Sequence, residues 1–96
     1  MAGMTGAAAK ILANQLLDDG FFYIRSHCKR RMEERNLSFD DIDNAIHSGE
    51  FQKEAEWDEW EQEWRYKIIG FDVEGDELSV VFAFEGSRLV IIVTAY

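Results

Sequence analysis

Proline is missing from this chain of 96 residues, and cysteine occurs once, at Cys28. A single cysteine excludes an internal disulfide, and no Cys/His cluster offers zinc-ligand spacing, so no structural metal and no cofactor is expected. The thiol usage fits a reducing cytoplasm, the expected compartment. Long apolar runs are also lacking: the longest, such as Leu89 to Val93, fall far short of the ~20 residues a membrane helix needs. The start "MAGMTGAAAKILANQLL" has no basic leader and is interrupted by Lys10, Asn14 and Gln15, so it reads as a helix and not as a signal peptide. Without prolines, repeats or Gly/Ser linkers nothing divides the chain, and its length accommodates one core. The expectation is one domain over residues 1–96, helical in 5–49 and a sheet in 50–96. A hydrophobic content of 47% supplies that core without cross-links.

Positive charge is the other scarcity. Ten Lys and Arg face nineteen Asp and Glu, a formal net charge of -9. The distribution is more informative than the sum. Between Arg25 and Arg35 lie five basic residues and two glutamates, whereas between Glu50 and Glu63 lie seven acids and only Lys53. The molecule is polarised, with a cationic segment set in an acidic chain.

Apolar spacing gives the elements. Ala9, Leu12, Ala13, Leu16 and Leu17 recur at helical intervals, and Asp18-Asp19-Gly20 ends that first helix. "FFYIR" is a short extended lead-in, and Ser26 is a good N-cap for a second helix. In that helix Cys28 and Met32 are one turn apart and face the core. His27, Arg31 and Arg35 follow at i, i+4 and i+8 along an adjacent edge. Ser38 opens "SFDD", a capping box in form. Phe39, Ile42, Ala45 and Ile46 make the apolar stripe of a third helix, which Gly49 is placed to close in the left-handed conformation. After Gly49 the pattern changes to "WRYKIIGF", "ELSVVFAF" and "RLVIIVTA", β-branched and aromatic runs joined by short turns. The last run is apolar on both faces and reads as central, while "EFQKEAEW" is a weaker first strand. Helices first and sheet second define an α+β architecture: about three N-terminal helices packed on a four-stranded antiparallel sheet. Trp57, Trp60 and Trp64, at i, i+3 and i+7, fit either one helical stripe or the two sides of a hairpin.

Ser26-His27, Arg31-Met32 and Arg35, followed by "LS" and a helix ending in Ser-Gly-Glu, resemble the small bacterial domain-of-unknown-function family numbered 4258. The resemblance runs from about Leu16 to Tyr96 and includes Arg65-Tyr66 and the closing "VIIVTAY". Cys28 stands where alanine is usual in that family, Asn36 where glycine is usual, and the Trp-rich acidic stretch is peculiar to this chain. Members of the family are similar to MqsR and RelE toxins, compact metal-independent ribonucleases neutralised by an antitoxin. The resemblance therefore implies a RelE/MqsR-like sheet, RNA as substrate and a protein antitoxin as partner.

The residues suit that chemistry. Cleaving RNA without a metal requires removal of the 2′-hydroxyl proton, stabilisation of the phosphorane and protonation of the leaving 5′-oxygen. Imidazole serves proton transfer near neutral pH, and guanidinium groups clamp phosphate oxygens. The expected catalytic set is His27, as general base at a helix N-terminus, with Arg31, Arg35 and Arg65. Lys29, Arg30, Tyr66 and Tyr96 are the expected substrate-binding residues. Plainer readings exist for each: a helix-start histidine, surface ion pairs worth ~0.3–0.5 kcal/mol, packed tyrosines, and a core thiol at Cys28. The alternative from another class is a non-catalytic interaction domain on the same scaffold. Its acidic edge with Trp57, Trp60 and Trp64 would bind a protein.

Overall fold

The computed structural model describes residues 3–96, so Met1 and Ala2, the first residues of the N-terminal stretch read as a helix, lie outside it. The first helix, α1 (Gly6–Asp18), starts where the Thr5 hydroxyl accepts a hydrogen bond from the Ala8 amide at 3.2 Å. It buries Ala9, Ala13, Leu16 and Leu17. It ends at Gly20, whose φ of 82° lets the Phe21 amide reach back to the Leu16 carbonyl at 2.8 Å.

"FFYIR" is more than a lead-in. Phe22–Ile24 form a strand, β1, paired in parallel with the last strand of the chain. The Arg25 amide continues this ladder to the Ile92 carbonyl at 3.1 Å, and Arg25 keeps extended angles. The second helix, α2 (Ser26–Glu34), begins one residue earlier than expected. Arg25 takes the N-cap position that Ser26 was expected to fill, and no side chain caps that helix. Cys28 and Met32 are buried, as their spacing implies. Asn36, just past the helix, has φ 55°, a left-handed conformation that asparagine tolerates and that glycine adopts freely.

The third helix, α3 (Phe39–Ser48), opens on the Ser38–Asp41 box: the Ser38 amide and hydroxyl donate to Asp41 Oδ2 at 2.8 and 3.2 Å. Gly49 does not turn left-handed; its φ and ψ are -84° and 168°. The reason is close packing. A Cβ at Gly49 would lie 2.6 Å from the Ala45 carbonyl oxygen, and one at Gly70 would collide with the same carbonyl. The two glycines thus seat the end of α3 directly on the sheet.

The sheet has six strands, not four, and is not wholly antiparallel. The "EFQKEAEW" segment splits into β2 (Glu50–Phe51) and β3 (Glu56–Asp58), which pair in succession with one edge of β4 (Glu63–Phe71). Then follow β5 (Glu77–Glu85) and β6 (Leu89–Ala95), and the order across the sheet is β1-β6-β5-β4-β2. The last run is interior, as its two apolar faces imply, with β5 at the middle. Two causes hid the extra strands. The β1–β6 pair is parallel and joins segments almost seventy residues apart, and β2 and β3 span only two and three residues. Ile68, Leu78, Val80, Phe82, Val90 and Ile92 form the core face, packed under Ile42, Ala45 and Ile46 of α3 and Ala9 and Ala13 of α1. No helix among the described residues is long and apolar enough to cross a membrane.

Candidate functional site

A bulge in β6 decides what the uncovered face of the sheet presents. Val81 pairs with Thr94, but Phe82 pairs with Ile92, which leaves Val93 as the extra residue. Strand side chains alternate between faces, so an inserted residue reverses every side chain beyond it. Ile92 and Ala95 therefore enter the core, and Thr94 and Tyr96 turn to the opposite face beside Val81 and Lys67. The Lys67 ammonium sits 5.0 Å from the centroid of the Tyr96 ring.

On that face a shallow hollow of about 460 Å³ opens between the start of α2 and the β3–β4 hairpin. Arg25, His27 and Arg31 border it from the helical side, and Arg65, Thr94 and Tyr96 from the sheet. His27 and Arg31 are exposed and one helical turn apart. Four of the eight residues expected at the site thus meet: His27, Arg31, Arg65 and Tyr96. The others lie elsewhere. Arg35 borders a separate hollow with Asp72 and Asp76 at the β4–β5 turn. Lys29 is exposed, with its ammonium 5.9 Å from the Tyr23 ring centroid, and Arg30 is exposed on the same helix. Tyr66 is 3% exposed on the core face, stacked 5.6 Å from Phe82, and its hydroxyl accepts the Met4 amide at 2.8 Å.

Arg25 is the residue that sequence reasoning left out. Its two terminal nitrogens donate to the two carboxylate oxygens of Glu63 at 2.8 and 2.7 Å, and Glu61 lies 3.8 Å away. Arg65 donates its Nε to Glu63 at 3.2 Å and lies 3.5 Å from Asp58. Burial alone would push the Glu63 carboxyl up; the hydrogen bonds and charges of Arg25 and Arg65 outweigh it and hold the carboxyl below its ordinary value. The Glu63 bond raises the Arg25 value in turn, against the opposing effect of burial. The acidic hairpin is consequently bolted to the basic edge. Its signal in the sequence was the juxtaposition of the +3 and -6 segments, which did not say which acid meets which base.

Trp57 and Trp64 face each other across the β3–β4 ladder with centroids 5.5 Å apart, which decides for the hairpin and against the helical stripe. Trp60, in the turn, is 95% exposed. Burial pushes the Cys28 thiol up, opposed by the Arg31 charge, and the side chain is fully enclosed in the core. Groups able to hold a cation lie away from the hollow: Asp18, Asp43 and His47, from α1 and α3.

Fold and site together describe an α+β domain with α1 and α3 packed on one sheet face and a cationic hollow at the edge of the other. The family described as Domain of unknown function (DUF4258) matches residues 24–96, and the chain belongs to it. No curated protein and no solved structure matches the chain.

Proposed function

We propose that the protein is a metal-independent RNA endonuclease of the toxin type, working from the hollow between α2 and the sheet. The observation that carries this reading is the convergence of His27, Arg31, Arg65 and Tyr96, with Arg25 beside them, from three elements distant in sequence. An exposed imidazole next to guanidinium groups is the donor set that in-line attack by a 2′-hydroxyl requires. His27 removes the hydroxyl proton, Arg31 and Arg65 hold the phosphate oxygens, Tyr96 hydrogen-bonds the substrate from the sheet, and the leaving 5′-oxygen takes its proton from water in the open hollow. Lys29 and Arg30, exposed on the same helix, extend the positive field along the RNA backbone. The products would carry 2′,3′-cyclic phosphate ends, because the attacking oxygen belongs to the RNA. A protein antitoxin would neutralise the enzyme by covering the hollow.

The test is incubation of the purified protein with RNA, with and without EDTA, beside His27→Ala. Cleavage should persist in EDTA, and the substitution should lower it by about 10²-fold or more, the usual scale of a lost general acid or base. Because His27 is exposed, the variant should keep its fold. Equal activity in the variant, or 5′-phosphate products, would refute the assignment.

One observation favours a second reading, a non-catalytic interaction domain. Glu63 already engages Arg25 and Arg65, and the hairpin carries a tryptophan open to solvent at Trp60. Under that reading no RNA is cleaved, and Trp60→Ala abolishes capture of a protein partner.

A further inference from the structure

The helical side of the molecule holds a second constellation, which owes nothing to the hollow. α1 and α3 run in opposite directions. The Lys10 ammonium donates to the Gly49 carbonyl at 2.8 Å, just past the end of α3, while Asp18, at the end of α1, reaches back to His47 and Asp43. Asp43 and His47 are four residues apart on α3, one above the other on the same edge. His47 Nε2 lies 3.4 Å from Asp43 Oδ1 and 3.8 Å from Asp18 Oδ1. The three donor atoms all lie within 4.8 Å of one another.

A second feature marks the same two helices. Among the described residues, two side-chain oxygen atoms, Asn14 Oδ1 and Asp43 Oδ1, are buried without a hydrogen-bond partner, although both residues are only partly buried and the Asp43 oxygen faces His47 Nε2 at 3.4 Å. Both belong to these helices. Lys10, Asn14 and Asp18 form one row on α1 at intervals of four, and since Lys10 and Asp18 both reach α3, Asn14 stands between them against the same helix. Buried polar atoms are normally satisfied, and an orphaned pair at a helix–helix contact calls for a donor or a cation. Asp18 and Asp43 bring two carboxylates to one imidazole here, and a positive charge at this point would relieve that crowding.

We propose that Asp18, Asp43 and His47, with the Asn14 carbonyl oxygen alongside, form a binding site for a divalent transition-metal ion of the zinc class that clasps α1 to α3. A tetrahedral ion with bonds of about 2.0–2.1 Å sets its ligands about 3.4 Å apart, close to the two separations on His47. Imidazole combined with carboxylates selects zinc and its neighbours over magnesium or calcium, which take oxygen ligands throughout. The Asp18 and His47 side chains are 64% and 44% exposed, so an ion reaches them from solvent without opening the core. Asn14 and Asp18 lie outside residues 24–96, which makes the clasp a feature of this chain's own first helix. The ion would act on stability and not on the reaction at the hollow.

The experiment uses the whole chain, stripped of metal, titrated with zinc and followed by thermal melting and by a direct count of bound zinc after dialysis. One zinc per chain is expected. At free zinc a hundredfold above the dissociation constant, the melting temperature should rise by about 10–20 °C. His47→Ala and Asp18→Asn, both at exposed positions, should abolish the rise, whereas His27→Ala should keep it. No rise in the wild-type protein up to millimolar zinc would overturn the proposal. So would a rise of the same size in His47→Ala. RNA cleavage does not enter the readout, so failure here leaves the nuclease reading untouched, and the reverse holds equally.

Discussion

Asp41 shows how much one side chain fastens in this fold. It is only 7% exposed, and its two oxygens take three hydrogen bonds: Oδ2 from the Ser38 amide and hydroxyl, and Oδ1 from the Val73 amide at 3.0 Å. The start of α3 is thereby tied to the β4–β5 turn. The backbone bonds from Ser38 and Val73 hold the carboxyl below its ordinary value, against the opposing effect of burial. A carboxyl lowered by folding stabilises the protein above the unfolded value and loses that contribution as the pH falls through the folded one. Asp41→Ala should therefore destabilise the protein by about 1–3 kcal/mol near neutral pH, the range for a lost cap with charge-assisted bonds. The gap in melting temperature between wild type and variant should narrow as the pH is lowered from about 5 towards 3. Equal melting temperatures at neutral pH would show that the bonds contribute nothing.

At the scale of elements, the β3–β4 hairpin and the bulge in β6 build the hollow; the sequence offered the hairpin only as one of two readings and gave no sign of the bulge. The three helices were legible, because apolar residues recur at helical spacing in each, if only as Cys28 and Met32 in α2, and so were β4, β5 and β6, each seven to nine residues long. Strands of two or three residues carry no period to read, and a bulge at Val93 leaves no mark in a run as uniformly apolar as "LVIIVTA". The edge of α2 was legible from the spacing of His27 and Arg31, whereas Arg35 continued that spacing only on paper. It sits past the last helical residue, with φ of -101° and ψ of 4°, and turns to another part of the surface. Tyr66 followed Arg65 in the sequence and for that reason could not share its face: neighbours in a strand point opposite ways. The hairpin itself is held by Glu63, whose side chain is 9% exposed. Glu63→Gln leaves Arg25 and Arg65 short of a negative partner and should cost about 1–3 kcal/mol. Trp60→Ala, at a fully solvated turn position, should stay within about 0.5 kcal/mol of wild type. Urea denaturation of both variants checks the contrast, and a Glu63→Gln variant as stable as wild type would mean that the strand ladder alone holds the hairpin.

At the scale of the whole molecule the question is why a basic hollow survives in a chain of net charge -9. The structure answers part of it with geometry: Glu61 borders the hollow, Asp58 lies 3.5 Å from Arg65, and Glu61 and Glu63 lie within 4 Å of Arg25. On the nuclease reading, RNA phosphates would have to displace or tolerate this built-in anion, which would restrict non-specific binding. Few phosphates can be contacted, so the salt dependence of RNA affinity should be shallow, with a slope of about -0.7 per contacted phosphate on single strands. Changing Glu56, Asp58, Glu59 and Glu61 to their amides removes four negative charges and spares the Glu63 anchor. RNA affinity should then rise, and most at low salt, where the Debye length reaches ~30 Å at 0.01 M. Asp58 and Glu61 act directly on Arg65 and Arg25, so a variant limited to those two should recover more than half of the gain. Adding Arg31→Ala should cancel much of it, because Arg31 borders the hollow and forms no salt bridge among the described residues. Binding measured for these variants at two salt concentrations decides the matter. If the amide variant binds RNA no better than wild type, the rim acids do not face the RNA, and the acidic segment is a solvated loop or the surface for a protein partner.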